Sequence, residues 1–395
     1  MTRKSFVGFG FGPIQSGLML YEAARSGNFE SFVVAEVDQE LVDAVREAGD
    51  RVAVNIARRD RITTETLEGI VLCNPRVDAD RRRLVDAIAG ADEMATAVPS
   101  VKLYTAGGDS SIAALLAQAV DGHKPQVLYA CENNNYAAEA LRGEILAHTA
   151  EDALGRLHIL DTVIGKMSGV IRDPAEIERL NLTPLTPSLP RAILVEEFNR
   201  ILVSKVKPGG PQRGITPFVE KDDLLPFEEA KLFGHNAVHS LLGYLAAAKG
   251  HRVMSSIRDD ADLYGIGMRA FMDECGPALI AKHGTVGDAL FTEDGWREYA
   301  SDLLERMTNP FLYDSVERIC RDPRRKLGYG DRLFGTMRVC LCQNVKPQLL
   351  ARGARAGLAY MGRADVEDAL AELWDGEADD GLMGECVRLV REAKA

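Results

Sequence analysis

The sequence predicts an α/β protein in which a doubly wound, Rossmann-type parallel sheet is followed by a mostly α-helical domain. Short apolar segments alternate with helical patterns as far as about residue 171, as in parallel sheets whose two faces are covered by helices. Beyond about residue 226, apolar residues recur with helical spacing in one run after another. A proline-rich stretch at 181–190 separates the two patterns. We therefore predict domains at 1–190 and 191–395.

Each predicted strand is a short apolar segment bounded by turn residues or by a helical pattern. In chain order, the strands are predicted at 5–9, 31–36, 69–72, 93–98, 126–130 and 157–161. In the second domain, helices are predicted at 227–249, 258–283, 293–306 and 356–374. Ligands of doubly wound sheets bind at the carboxyl ends of the strands, so residues that follow the strands are the first candidates for a site.

The composition is that of a soluble globular protein, with 46% hydrophobic and 27% charged residues in a chain of 395. The net charge of -12 argues against nucleic acid or an anionic membrane as a partner. The seven cysteines form no CxxC pair, which favours reduced thiols in a cytoplasm over disulfides or a zinc site. The sequence shows neither a membrane-spanning apolar run nor a signal-peptide core. We expect a cytoplasmic monomer or homodimer that acts on a small molecule.

A glycine-rich turn follows the first predicted strand and precedes a helical pattern. Its spacing, Gly8-x-Gly10-x-x-Pro13, is close to the dinucleotide fingerprint, in which the backbone approaches a pyrophosphate at a helix amino terminus. Proline stands where the third glycine belongs, although it suits the first turn of a helix. The predicted cofactor-binding residues here are Gly8, Gly10, Phe11, Gly12, Pro13 and Ile14. The alternative is a glycine turn without a ligand.

The second predicted strand ends in an acidic residue, Glu36, followed by Val37 and Asp38. A carboxylate at this position accepts hydrogen bonds from ribose hydroxyls and repels the 2′-phosphate of NADP. The sequence therefore predicts NAD as the cofactor, bound by Glu36 and Val37, with Asp38 as the fallback for Glu36. The alternative for these acids is a solvated surface position.

Two later strand ends carry residues that would face the nicotinamide half of the cofactor. The predicted cofactor-binding residues are Thr96, Ala97 and Val98 after one strand, and Glu132 and Asn133 after the next. The alternative for each of these residues is a loop cap or a turn former.

One predicted helix carries Lys231, Asn236 and His239. At about 100° per residue, Asn236 lies about 140° and His239 about 80° around the axis from Lys231, while an apolar stripe occupies the opposite side. This pattern favours a catalytic face on which a partly desolvated lysine accepts a hydroxyl proton. Glu228, one turn earlier, would relay the proton or tune the lysine. The alternative is a snorkelling lysine, a core histidine and a surface pair of Glu228 with Lys231.

These residues resemble the polyol-specific long-chain dehydrogenase family, and within it the mannitol-1-phosphate 5-dehydrogenase branch. The motifs that carry the resemblance are the glycine turn, Thr96-Ala97-Val98, Ala130-Cys131-Glu132-Asn133, Lys231-Leu232-Phe233-x-x-Asn236-x-x-His239, and a late block from Asn309-Pro310-Phe311-Leu312 to Asp331-Arg332-Leu333. The resemblance implies NAD-dependent, metal-independent oxidation of an alcohol in a cleft between two domains. It also implies that Lys231 is the general base, and that Asn236 and His239 bind the reacting oxygen or neighbouring hydroxyls.

One departure from the family follows the last predicted strand. Where the family often has Val-Asp-Arg-Ile, this chain has Ile164-Gly165-Lys166-Met167. The acidic side chain is missing at Gly165, so its positioning role is unfilled in the sequence.

The densest basic cluster of this acidic chain lies in the late block and consists of Arg318, Arg321, Arg324, Arg325 and Lys326. Because arginine and lysine bind phosphate through charge-assisted hydrogen bonds, we predict Arg325 and Lys326 as substrate-binding residues, with Lys205 in a Gly-Pro-rich loop. The alternative is an ion-pair network with Asp322 and Asp331.

The predicted reaction converts a sugar-alcohol phosphate, similar to mannitol 1-phosphate, to the ketose phosphate and back. The open alternatives are an unphosphorylated polyol or sugar acid as substrate, and a non-catalytic NAD-binding protein.

Overall fold

The chain divides into two compact units, Met1–Leu224 and Leu225–Ala395, in a computed structural model that describes residues 3–394. The division lies after residue 224, not after residue 190 as the proline-rich stretch predicts. Residues 192–221 contain three strands that pair with strands of the first unit. The proline-rich stretch is therefore a connection within the first unit, and the predicted boundary is corrected.

The first unit contains all the strands found among the described residues. They are β1 (Lys4–Phe9), β2 (Phe29–Ala35), β3 (Arg51–Ala57), β4 (Ile62–Glu68), β5 (Ile70–Cys73), β6 (Glu93–Thr96), β7 (Gln126–Ala130), β8 (Leu157–Val163), β9 (Ser168–Ile171), β10 (Ala192–Glu196), β11 (Leu202–Ser204) and β12 (Val219–Lys221). Eight strands form one sheet in the order β12-β11-β8-β7-β6-β1-β2-β5, in which the run from β8 to β5 is parallel. The other four form a second sheet in the order β4-β3-β10-β9.

Short helices connect these strands. They are α1 (Tyr21–Ser26), α2 (Gln39–Glu47), α3 (Asp78–Gly90), α4 (Ile112–Ala119), α5 (Ala137–Leu146) and α6 (Pro174–Arg179), with a π-helical segment at Gln15–Leu20 and 3₁₀ turns at Val101–Thr105, Gly108–Ser110 and Glu151–Leu154.

Both faces of the large sheet are covered by apolar side chains. Successive residues of a strand point to opposite faces, and Phe6 of β1 belongs to one buried cluster while Val7 belongs to the other. Neighbouring residues of β2 divide in the same way, with Val34 in the first cluster and Val33 in the second. Burial on both sides explains why the strands are nearly continuous apolar runs in the sequence.

The described part of the second unit is helical. Its helices are α7 (Leu225–Glu229), α8 (Ala237–Ala248), α9 (Ala261–Arg269), α10 (Gly276–His283), α11 (Glu293–Met307), α12 (Val316–Cys320), α13 (Pro323–Lys326), α14 (Arg332–Cys342), α15 (Gln348–Tyr360), α16 (Val366–Leu373) and α17 (Met383–Glu392). π-helical segments at Ala230–Asn236 and Ala270–Cys275 join α7 to α8 and α9 to α10, and 3₁₀ turns lie at Met254–Asp259, Gly284–Val286 and Ala289–Phe291.

The predicted fold class is confirmed, and the six predicted strands are present within two residues at each end. The predicted helix at 356–374 is instead two helices, α15 and α16. Gly362 has a φ of +74° after α15, and the Asp365 carboxylate accepts the N–H of Asp368 at 2.9 Å to cap α16. Within the described residues, no helix combines the length and the apolar character needed to cross a bilayer.

Candidate functional site

The glycine-rich turn begins at Gly10, where β1 has ended. Gly10 has a φ of +79°, and a Cβ on it would lie 3.0 Å from the carbonyl oxygen of Ala97. A left-handed backbone with so close a neighbour requires glycine. Gly8 lies inside β1 and pairs with both neighbouring strands, so its predicted place in the turn is corrected. The turn is Gly10-Phe11-Gly12, two residues later than the sequence analysis placed it.

This shift changes which residue departs from the dinucleotide fingerprint. Counted from Gly10, the second glycine is Gly12, and Gln15 stands where the third glycine belongs. Gln15 is fully buried, and a Cβ on Gly8 would lie 2.3 Å from the Gln15 amide nitrogen. Gly8 therefore makes room for the larger side chain. Pro13 lies in the first helical turn, where its missing N–H costs little.

Glu36 connects the end of β2 to the glycine turn. Its Oε2 accepts the N–H of Phe11 at 2.8 Å, and its Oε1 accepts the N–H groups of Val37 at 2.7 Å and Asp38 at 2.9 Å. A carboxylate offers about four lone-pair sites, so Oε2 retains one acceptor site for a hydroxyl. The carboxylate of Asp38 caps α2 and lies 3.1 Å from the guanidinium of Arg191. Of the two acids, Glu36 is the better placed to bind a ribose.

We expect Glu36→Ala to weaken NAD binding about tenfold and to reduce the preference for NAD over NADP. The variant loses one acceptor for the ribose hydroxyls and one for the Phe11 N–H. Titration calorimetry with both dinucleotides measures the effect. Glu40→Ala, which removes an exposed carboxylate from the first turn of α2, is the matched control. Unchanged cofactor preference in Glu36→Ala would assign the role to Asp38 or to another residue.

Glu132 is buried and supports the loop after β6. Its carboxylate accepts the hydroxyl of Thr96 at 2.8 Å, the N–H of Val98 at 2.9 Å and the hydroxyl of Tyr104. Burial and the adjacent Glu132 carboxylate raise the pKa of Tyr104, which stays a hydrogen-bond donor. The structure thus brings the ends of β6 and β7 together beside Gly10, and it adds Tyr104, which the sequence motifs did not indicate.

The helix that carries Lys231, Asn236 and His239 contains a π-helical segment over Ala230–Asn236. In a π-helix the hydrogen bonds run between residues five apart, so Lys231 and Asn236 are one turn apart on the same face. His239 follows Asn236 by three residues at the start of α8, close to one further turn. The offset of about 140° expected for a regular α-helix is therefore corrected. The π-helical segment brings the three residues together.

Neighbouring helices hold the π-helical segment in place. The hydroxyl of Thr336 in α14 donates to the carbonyl oxygen of Phe233 at 3.1 Å, and this bond supplements the weaker backbone pairing of a π-turn. Gly234 and Gly335 allow close packing, because a Cβ on Gly234 would lie 3.0 Å from the Trp296 ring and one on Gly335 would lie 2.6 Å from the Phe233 ring.

Lys231 is half-buried in an environment that favours the neutral amine. Burial and the nearby guanidinium of Arg332 lower the pKa of Lys231 to about 8, and the carboxylate of Glu228 opposes this shift. Arg332 is buried, and its Nε lies 2.7 Å from Oδ1 of Asp331. Glu228 is near Lys231, as predicted, and Arg332 is a further member of the site that the sequence showed only as part of the late block.

His239 is buried beside a carboxylate that the sequence analysis did not select. Its Nε2 lies 2.9 Å from Oδ2 of Asp314, and the other oxygen of Asp314 lies 2.6 Å from the guanidinium of Arg318. The ring of His235 lies 5.9 Å from that of His239, between centroids. Burial and neighbouring positive groups lower the pKa of His235 well below its ordinary value, so this ring is neutral.

The predicted phosphate-binding residues all have partners in the structure. The guanidinium of Arg325 lies 2.8 Å from Asp322 and 3.5 Å from Asp331, which is the ion-pair network left open as the alternative. Lys326 is buried and donates to the carbonyl oxygen of Ile319. Burial, with help from Arg332 and Arg325, lowers the pKa of Lys326 to about 8.

Lys205 belongs to the first unit, where its ammonium lies 2.9 Å from the exposed carboxylate of Asp222. Exposed pairs of this kind contribute little and open easily. An anion could therefore bind Arg325 or Lys205 by displacing their carboxylate partners, which are weakly held. Lys326, in contrast, is held inside the second unit.

The residues that follow Gly165 take part in a buried hydrogen-bond network. Lys166 is buried and donates to the carbonyl oxygens of Phe198, at 2.8 Å, and of Glu196. The carboxylate of Glu196 in turn accepts the N–H of Met167 at 2.5 Å. Among the described residues, no group of three or more His, Cys, Asp or Glu side chains has an arrangement that could hold a metal ion.

Comparison with known proteins supports the family resemblance. The mannitol dehydrogenase C-terminal domain family matches residues 223–380, which include α7 to α16. Curated relatives named mannitol-1-phosphate 5-dehydrogenase include one from Brevibacillus brevis that is 29% identical over 368 residues, or 92% of this chain and 88% of the relative. The resemblance drawn from the motifs is confirmed.

Solved structures confirm the fold. A D-sorbitol dehydrogenase in substrate-free form has a TM-score of 0.78 at 14% identity, covering 98% of this chain and 92% of that one. The mannitol 2-dehydrogenase of Pseudomonas fluorescens, in a ternary complex with NAD and D-mannitol, has a TM-score of 0.69 at 18% identity, covering 99% and 85%.

Proposed function

We propose that this chain belongs to the polyol-specific long-chain dehydrogenase family and is an NAD-dependent enzyme that oxidises a sugar-alcohol phosphate to the ketose phosphate and catalyses the reverse reaction. The observation that carries the proposal is the helix with Lys231, Asn236 and His239 on one face, because its π-helical segment aligns a lysine of lowered pKa with two further polar side chains. The names of the curated relatives supply the substrate class.

In this mechanism Lys231 accepts the hydroxyl proton. A secondary alcohol loses that proton as hydride leaves the carbon, so a base is needed within hydrogen-bond reach of the oxygen. An ordinary lysine is protonated at neutral pH and cannot serve, whereas burial brings the pKa of Lys231 to about 8 and supplies a neutral fraction. Glu228 is close enough to oppose the shift and is proposed to pass the proton onward to solvent.

Asn236 and His239 are proposed to bind the oxygens of the substrate. The Asn236 amide donates to the oxygen as negative charge develops on it, which is the role that neutral donors have in other oxyanion sites. The guanidinium of Arg332, which is near Lys231, favours the same charge. The proposal uses no metal ion in this step.

The first unit fits a bound dinucleotide. Gly10 and Gly12 have no side chains, so a ligand can approach the backbone at the start of a helix. No atom lies within 4 Å of a Cβ placed on Gly12. Glu36 retains an acceptor site for a ribose hydroxyl and would repel a 2′-phosphate. Bound NAD would accept the hydride. We propose the turn residues of the sequence analysis without Gly8, namely Gly10, Phe11, Gly12, Pro13 and Ile14.

A substrate panel tests the proposed function. With NAD, we expect kcat/KM for mannitol 1-phosphate to exceed that for mannitol by at least about 10²-fold, since charge-assisted bonds to a phosphate are among the stronger polar contacts. Hexonates test the sugar-acid alternative in the same assay. Preference for a non-phosphorylated polyol would change the proposed substrate but not the proposed reaction. Inactivity on every compound would overturn the proposed function.

The pKa of Lys231 gives the reaction a pH dependence of predictable sign. Oxidation needs the neutral amine, so kcat/KM is expected to rise about tenfold per pH unit up to about pH 8 and to level off above it. Reduction needs the ammonium, so its rate is expected to fall above about pH 8. Initial rates in both directions from pH 6 to 10, at constant ionic strength, measure this. An oxidation rate that is flat from pH 6 to 9 would contradict the assignment.

A further inference from the structure

We infer that Asp314 is a positioning residue that holds the neutral His239 ring with its proton on Nε2, so that Nδ1 accepts a hydrogen bond from a substrate hydroxyl. The inference rests on the proposed function and goes beyond it. It assigns a role to a residue outside the lysine helix, and it names the group of the substrate that His239 recognises, which is a hydroxyl acting as a donor.

Nε2 is the nitrogen of the His239 ring that faces the carboxylate of Asp314. Nε2 of His239 lies 2.9 Å from Oδ2 of Asp314, and both atoms are fully buried. The contact is close although its angle departs from an ideal hydrogen bond, and neither atom has another hydrogen-bond partner among the described residues. Nε2 is thus committed to Asp314, and Nδ1 is the ring nitrogen left for a ligand.

An ionised Asp314 fixes the position of the proton on the imidazole ring. Burial by itself would raise the pKa of Asp314, but its contacts with His239 and Arg318 bring that pKa below its ordinary value, and Arg318 stays charged when the imidazole is neutral. An ionised carboxylate only accepts hydrogen bonds, so the facing nitrogen must carry the proton. Arg318 donates to Oδ1 of Asp314 from Nε at 3.0 Å and from Nη2 at 2.6 Å, which balances the negative charge. A second positive charge on His239 is therefore not needed for charge balance.

The backbone keeps Asp314 fixed. Its N–H donates to the carbonyl oxygen of Leu312 and its carbonyl oxygen accepts the N–H of Met254, both at 2.8 Å. The following helix α12 packs closely on α8, because a Cβ on Gly243 would lie only 2.4 Å from the side chain of Ile319. The carboxylate and the imidazole are therefore held by two elements in direct contact, as a positioning role requires.

The tautomer of His239 determines which group of the substrate the ring can bind. A neutral ring protonated on Nε2 presents a lone pair on Nδ1, which can accept from a hydroxyl but cannot donate to a carbonyl oxygen. A site with a buried acceptor rejects an analogue that lacks the donor, because the acceptor is then left without a partner. His239 would thereby select alcohols that carry a second hydroxyl beside the reacting carbon.

The first test reads the tautomer directly and needs no activity. In ¹⁵N NMR of the wild-type protein with labelled histidine, the His239 signals are identified by their loss in His239→Gln. We expect a protonated Nε2 and an unprotonated Nδ1 at pH 7.5. A proton on Nδ1 alone would overturn the inference even if the enzyme is active, and the expected tautomer in an inactive protein would overturn only the proposed function.

The second test is a double-mutant cycle. Asp314→Asn keeps the shape but can present an N–H to the ring, and we expect kcat/KM to fall about 10- to 100-fold, the range seen when a ligating histidine loses its outer partner. In a His239→Gln background the same change should cost less than about twofold, because Asp314 acts through His239. Equal losses in both backgrounds, with unchanged thermal stability, would contradict the positioning role.

A deoxy substrate separates a positioning role from a general structural one. For an analogue that lacks the hydroxyl beside the reacting carbon, Asp314→Asn should have almost no effect, since the bond that it disturbs is absent. Asp294→Asn, which changes an exposed carboxylate paired with Arg297, is the control and should match the wild type. An equal loss of kcat/KM on both substrates in Asp314→Asn would contradict the inference.

Discussion

Replacing Lys231 with alanine is expected to lower kcat for polyol oxidation roughly 10²- to 10⁴-fold, the range that a positioned base contributes to proton transfer. The loss should appear in kcat rather than in the affinity for NAD, because Lys231 belongs to the second unit and the glycine turn to the first. Stopped-flow measurement of NADH formation reports the rate of the chemical step, and calorimetry reports the affinity for NAD. Because the Lys231 side chain is only half-buried, its truncation is expected to cost little packing and the variant is expected to fold.

The matched control for Lys231→Ala is Lys249→Ala. Lys249 follows α8 on the same continuous helix, and its ammonium pairs with the carboxylates of Asp260 and Asp262 at the surface. That variant loses a lysine of the same helix without touching the proposed site, and its kcat should equal that of the wild type. Near-normal kcat in Lys231→Ala would rule out the base assignment.

Replacing Gly10 with valine is expected to reduce NAD affinity by more than about 10²-fold. The residue would be held at a φ of +79°, where strain costs about 1–3 kcal/mol for a side chain. Its Cβ would also lie 3.0 Å from the Ala97 carbonyl oxygen, a backbone atom that cannot move aside easily. The branched side chain would further cover the turn that the pyrophosphate is proposed to approach.

Gly27→Val separates this effect from general strain. Gly27 ends α1 with a φ of +68°, and nothing lies within 4 Å of a Cβ placed there. Both variants should lose thermal stability through backbone strain, but only Gly10→Val should lose NAD binding. Equal NAD affinity in the two variants would show that Gly10 does not form the cofactor site.

Much of the fold was predictable, because the signals that define it are local. The apolar runs of the parallel strands, such as β1 and β7, reflect burial on both faces of the sheet. The strands missed, including β11 and β12, are three residues long and pair at the edge of the sheet. The proline-rich stretch predicted a domain boundary because proline marks breaks in regular structure, but it cannot show to which unit the following strands return.

The sequence placed the candidate catalytic residues on one helix but did not predict the geometry of that helix. Lys231, Asn236 and His239 lie along one helix as predicted, but their positions around its axis were not predictable, because a π-helical segment has no sequence signature as clear as the α-helical period. The glycine turn was placed two residues early, because Gly8 and Gly10 have the same spacing as Gly10 and Gly12. Only the structure shows that Gly8 accommodates Gln15.

Contacts distant in sequence were not predictable at all. Asp314 lies 75 residues beyond His239, and nothing in its local pattern indicates that the two side chains meet. By contrast, the partners of Arg325 are close to it in sequence, and the ion pairs with Asp322 and Asp331 were the alternative stated for the basic cluster. Charge density in a sequence does not reveal which charges are already paired in the folded chain.

The most direct test of the central claim is the pH dependence of kcat/KM for oxidation in the wild type and in Lys231→Ala, measured side by side with NAD and mannitol 1-phosphate. The account predicts a wild-type rate that rises to a plateau at about pH 8, and a low rate in the variant without that rise. A variant that keeps a wild-type rate, with the same inflection, would show that another group accepts the proton.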